Sequence, residues 1–167
     1  MTNDLAEKRG RPFYLAVRVA PTLEACRRLG FDVSTWVEED LVDILTPAGG
    51  AATDPSLDVP AFVNLCKGTD IQIYPGFDGD LPDPFVGPED AETKNCLRTR
   101  AIAARYHKNG ADGIYVFNWH ANRDSRRELL SQIGTPDTLR HTDKIYAATH
   151  RFIVKEGNWR GAYRIDR

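Results

Sequence analysis

Apolar positions gather in four short runs: residues 13–20 (FYLAVRVA), 41–47 (LVDILTP), 71–76 (IQIYPG) and 113–119 (GIYVFNW). Each run closes on a polar or aromatic cluster, and a stretch with helical spacing follows it. Strands alternating with helices predict βα units and a parallel sheet. The runs start roughly thirty to forty residues apart, the length of one such unit. Within the first run, alternation puts Val17 and Val19 on one face and Ala16 and Arg18 on the other. The run at 41–47 is almost continuously apolar, as expected of a strand covered on both faces.

The helices between the runs carry their own punctuation. Pro21 ends the first strand, Thr22 caps a short helix and Gly30 closes it. A second short helix is expected from about Ser34, anchored by Trp36 and Val37. Asp58, followed by Val59 and Pro60, reads as a cap and helix start, with Gly68 just past the end. A longer helix over about 92–108 stops at Asn109 and Gly110. Thr135, Pro136 and Asp137 form another strong helix start. The segment after the third run holds Asp78, Asp80 and Asp83 among prolines and glycines; loops of this kind carry function unusually often.

Composition narrows the class. With 167 residues, 41% of them hydrophobic and 28% charged, the chain has the material for one globular core. A polar leader over residues 1–12, one α/β domain over 13–151 and a basic tail over 152–167 are expected. The net charge of −2 and scattered basic residues argue against nucleic acid as partner. Pairs such as Arg126–Arg127 and Arg98/Arg100 read as solvated helix faces. Cys26, Cys66 and Cys96 show no C-x-x-C pairing, so no metal and no redox pair is expected, and Cys26 and Cys66 read as small buried apolar groups. No run approaches the ~20 apolar residues of a membrane span, and the N-terminus lacks a signal-peptide core. A cytoplasmic protein without membrane partner or cofactor is the expectation.

Taken in order, "LAVRVAPTLEACRRLGFDVSTWVEEDLVDILTP", "VPAFVNLCKGTDIQIYPGFDG", "RYHKNGADGIYVFNW" and "DKIYAATHR" resemble the C-terminal half of a bacterial glycoside-hydrolase-like (β/α)8 barrel family. The resemblance runs from about Phe13 to Arg151 and lies in the ordered series of segments, not in one motif. It implies an α/β fold of parallel βα units equivalent to four strands of a TIM-type barrel, strands five to eight. A closed barrel needs eight units and ~250 residues, so the expected half-barrel is completed by a missing N-terminal half or by a second copy in a homodimer.

The resemblance also implies a cleft for a carbohydrate or glycan substrate at the carboxyl ends of the strands. Related barrel glycosidases take one carboxylate from the end of strand four and one from strand seven. The first position lies upstream of this sequence. The second falls near Asp78, an aspartate where the family pattern has a glutamate. Hydrolysis needs two carboxyl groups across the scissile bond, so the expected module is incomplete for hydrolysis on its own.

The candidate residues follow from where the strands end. Asp78 is the candidate catalytic acid; the alternative is a loop aspartate making a turn with Gly79. Arg18, in an otherwise apolar strand, must be paired or reach a polar cavity. It can hold a substrate oxygen, orient a carboxylate such as Asp43 or Asp78, or form a structural ion pair. Tyr74, Asn118, Trp119 and His120 complete the candidate sugar-binding set. Indole faces stack on sugars and the Asn amide offers both donor and acceptor, whereas a Trp that plugs the end of the core would bury the same ring. Two other readings stand beside this one: a non-catalytic binding or structural half-barrel, and a small open α/β domain binding a small molecule at a strand-order switch.

Overall fold

A computed structural model describes residues 2–49, 57–78, 88–119 and 124–146. Helix α1 (Thr2–Arg9) comes first, largely exposed, in the stretch expected as a loose leader. Strand β1 (Ala16–Val19) leads into α2 (Leu23–Arg28) and α3 (Val33–Glu38), and β2 (Ile44–Pro47) into α4 (Val59–Leu65). The third apolar run forms two short strands, β3 (Gln72–Ile73) and β4 (Gly76–Asp78). Helix α5 (Pro88–Lys108), β5 (Tyr115–Phe117), α6 (Asp124–Ile133) and α7 (Pro136–Leu139) follow.

The caps are built from the residues that signal them. Thr22 accepts from Ala25 N at 3.1 Å, Asp58 from Ala61 N at 3.2 Å and Thr135 from Thr138 N at 3.4 Å. Helix α3 starts one residue earlier than expected, because Asp32 caps it through Thr35 N. Gly30, Gly68 and Gly110 take φ of 82°, 89° and 94° at helix ends, conformations that cost a side chain.

All strand pairs are parallel. Strand β2 lies between β1 and β3, with Ala16 beside Ile44 and Ile44 beside Gln72; β4 pairs with β5, with Gly76 beside Tyr115 and Asp78 beside Phe117. A single bridge from Ala48 to Gly76 ties β2 to β4. Strands β3 and β4 are consecutive pieces of one extended segment, interrupted at Tyr74–Pro75. Tyr74 N still donates to Leu45 O of β2, at 2.9 Å, while Pro75 O accepts from Tyr115 N, at 3.1 Å. Proline has no N–H, so it sits where the segment exchanges one partner for the other. The four apolar runs thus lie side by side in chain order, and the described strands show no order reversal.

Two aspartates fasten the amino ends of this array in the same way. Asp43 N donates to Leu15 O, and the Asp43 carboxylate accepts from Leu15 N at 2.6 Å. Asp112 N donates to Ile73 O, and its carboxylate accepts from Ile73 N at 2.8 Å. Each closes a reciprocal pair with the preceding strand where the ladder itself has not begun.

The core lies between the strands and helices α2 to α7. One cluster packs Val19, Leu45 and Ile73 against Cys26, Val33, Val37 and Phe62. A second packs Phe77 against Ala103, Tyr106, Leu129, Ile133 and Leu139, and Val63 of α4 touches both. Trp36 packs on the first cluster with its ring 5.9 Å from that of Phe31, a packing position and not a cleft wall. Among the described residues, no helix is long and apolar enough to cross a membrane.

Candidate functional site

The strand face turned away from that core is mixed in character. It carries Ala16 and Arg18 from β1, Ile44 and Thr46 from β2, Tyr74 and Gly76 from the third run, and Tyr115 and Phe117 from β5. Arg18, Tyr74, Tyr115 and Phe117 are all half-buried. Two glycines make room for the aromatic rings. A Cβ on Gly113 would stand 2.8 Å from the Tyr74 ring, and one on Gly76 would stand 2.8 Å from Tyr115 Cδ1 and 3.0 Å from Ala48 Cβ. The tyrosines lean across neighbouring strands at the places where side chains are missing.

Arg18 crosses this face. One guanidinium nitrogen donates to Gly49 O at 2.6 Å, beyond the carboxyl end of β2, and the guanidinium carbon lies 4.5 Å from the centre of the Phe117 ring. Strands β1 and β5 are three spacings apart, about 14 Å in a flat sheet, so both side chains lie along the face to meet. Its contact with Phe117 places Arg18 at the carboxyl end, as expected. Asp43, one of its expected partners, is instead held at the amino end by Leu15 N.

The other expected residues are divided. Asp78 closes β4 in register with Phe117. Asn118 is exposed and takes φ of 50°, a left-handed conformation that Asn tolerates better than most residues. That turn breaks the strand alternation and sends Trp119 toward the helices. Trp119 is half-buried against the second core cluster, with the Arg126 guanidinium 5.2 Å from its ring centre and its Nε1 buried without a hydrogen-bond partner among the described residues. The indole therefore belongs partly to packing, and its N–H is held off solvent. His120, Asp80 and Asp83 lie outside the described residues.

Arg126 is a correction to the sequence reading. Expected on a solvated helix face, its side chain is 6% exposed, whereas Arg127 beside it is 57% exposed. Arg126 Nε pairs with Glu92 at 3.2 Å, and the Asn95 amide oxygen, correctly oriented, accepts from its guanidinium at 2.6 Å. Ser125 Oγ donates to the same Glu92 carboxylate, at 2.9 Å. The signal was present: Arg126, Leu129 and Ile133 share one stripe of α6, at the spacing of a buried helix face. Glu92, Asn95 and Phe117 were likewise passed over, the first two because only the packing of α5 on α6 brings them to the strand ends.

Cys26 and Cys66 are buried and Cys96 is partly buried. Burial pushes the Cys66 thiol up to about 11, with the nearby Asp112 carboxylate adding to the effect. Burial also raises Cys26, whose Sγ donates to Ala20 O at 3.6 Å, and Cys96, with Glu92 adding to the effect at Cys96. No group of three or more His, Cys, Asp or Glu residues forms a metal site among the described residues. Compared with protein-family models and with curated protein sequences, the chain matches none.

Proposed function

We propose that the chain is a glycoside-hydrolase-like carbohydrate-binding unit, equivalent to half of a TIM-type barrel, with its sugar-binding cleft at the carboxyl ends of the strands. One observation carries the reading: four parallel strands stand in chain order, so all four carboxyl ends open on the same side. In barrels built this way the chemistry sits at that side. A crevice at a strand-order switch, the alternative for an open sheet, has no counterpart among the described strands.

Arg18 supplies a fixed cation beside the end of β4, where Asp78 stands as the catalytic candidate. Tyr74, Asn118, Trp119 and His120 are the substrate-binding candidates, and Phe117 joins them through Arg18. The geometry of Trp119 narrows its role, since Arg126 already faces the ring and leaves at most one face for a sugar. Asp78 has no second carboxylate assigned across from it, so binding without turnover is the expected behaviour.

Strands β1 and β5 each have one neighbour among the described strands. Open parallel edges drive association, and a homodimer would pair them. Two measurements test the proposal. Light scattering should give a dimer mass at micromolar concentration; a folded monomer would remove the second copy from it. Oligosaccharide titration should show saturable binding that survives Asp78→Asn. Turnover of an aryl glycoside by wild type but not by Asp78→Asn would promote the unit to an enzyme.

A further inference from the structure

At the opposite, amino-end side of the array, α5 ends against α7 beside a groove of about 510 Å³. That volume suits a small-molecule site. Its floor is apolar, formed by Pro136 and Leu139, and the exposed ring of Tyr146 stands at its lip. Its polar lining is cationic: His107, Lys108, Arg140 and Lys144. Among the described residues, no carboxylate lines it.

Existing contacts orient these groups without neutralising all of them. Lys144 Nζ donates to Leu139 O at 2.5 Å and to Thr142 O at 2.7 Å, which fixes the ammonium at the end of α7 and leaves its third proton. His107 Nε2 donates to Ile133 O at 3.0 Å, which leaves Nδ1 available. Arg140 pairs through one terminal nitrogen with Asp137 at 2.9 Å, an exposed pair of little strength. Lys108 is exposed. The carbonyl end of α5 attracts cations, but with only about half an elementary charge. Three permanent positive charges against Asp137 and that half charge leave an excess that a dianion matches. Asp143, exposed and next in sequence to Lys144, lines no part of the groove.

We propose that this groove binds a small organic phosphate, its dianionic head among Lys108, Arg140 and Lys144 and its apolar or planar body on Pro136, Leu139 and Tyr146. Residues 147–167 carry five Lys and Arg against two acids, so by charge they do not supply the anion that the groove calls for. The site is separate from the sugar-binding proposal, and either stands if the other fails.

The test is a 1H–15N NMR titration of the full chain with phenyl phosphate, run beside inorganic phosphate and phenol. Saturable shifts centred on His107, Lys108, Leu139 and Lys144 are expected, with phenyl phosphate tightest. Lys108→Ala and Arg140→Ala, both at exposed positions that leave the fold intact, should each weaken binding about tenfold. Shifts scattered over surface lysines, or no saturation, would overturn the proposal. Equal binding of inorganic phosphate would overturn the role of the apolar floor, and unchanged affinity in both variants would overturn the role of the cations.

Discussion

The guanidinium of Arg18 meets the ring of Phe117 at 4.5 Å although two strand positions separate β1 from β5. The contact links the first and last strands of the array across the face opposite the core. A cation held over an aromatic ring is worth about 0.5–2 kcal/mol, more when desolvated. A double-mutant cycle of Arg18→Met and Phe117→Leu, read by denaturant unfolding, should therefore show a coupling of about 1 kcal/mol. Additive effects would mean that the two side chains do not support one another.

Neighbouring arginines on α6 should behave oppositely. Arg126→Ala removes a buried guanidinium together with its contacts to the Asn95 amide and the Glu92 carboxylate. The expected cost is about 2–4 kcal/mol, below the top of the range for broken buried pairs because Glu92 keeps some exposure to water. Arg127→Ala should stay within about 0.5 kcal/mol of wild type. Thermal or urea unfolding of the two variants side by side checks this.

Gly76→Ala should destabilise by about 1–3 kcal/mol through overpacking, since the new methyl would meet Tyr115 Cδ1 at 2.8 Å and Ala48 Cβ at 3.0 Å. Gly76→Ala combined with Ala48→Gly should recover part of the loss. No recovery would mean that the tyrosine alone sets the limit.

The thiols give a pH prediction. Cys66 ionises at about 11 in the fold against 9.0 in the open chain, so between those values the unfolded state holds fewer protons. The stability this provides is fully present below pH 9 and is lost as pH rises through 11. Unfolding midpoints measured from pH 8 to 11 should fall for wild type and fall less for Cys66→Ala. At pH 8 a disulfide-exchange reagent should label Cys26 and Cys66 only after denaturation.

The two reciprocal aspartate pairs should differ in strength. Asp112 bonds Ile73 N in a partly buried position and Asp43 bonds Leu15 N in an exposed one. Asp112→Ala should cost about 1.5–3 kcal/mol, the value of a hydrogen bond to a charged group, and Asp43→Ala less. Unfolding free energies of both variants check the order.

Much of the architecture was legible because it rests on local chemistry. Thr22, Asp58 and Thr135 cap where a side-chain oxygen meets free backbone N–H groups, and period-two alternation separated the face of Val17 and Val19, which the structure packs on the helices, from that of Arg18. What was not legible depended on contacts distant in sequence. The third run splits because Pro75 withholds a donor toward a strand forty residues on. Trp119 turns inward because Asn118 takes a left-handed conformation. Arg126 is buried by partners on α5 that no spacing rule connects to it, although its own stripe with Leu129 and Ile133 betrayed the face it occupies.

The most direct test of the sugar-binding account is a 1H–15N titration of the protein with a panel of neutral oligosaccharides. The account predicts saturable shifts at the carboxyl strand ends, at Gly76 to Asp78 and Phe117 to Trp119, for at least one glycan. Absence of shifts with every glycan, or shifts confined to the amino-end groove beside α7, would contradict it.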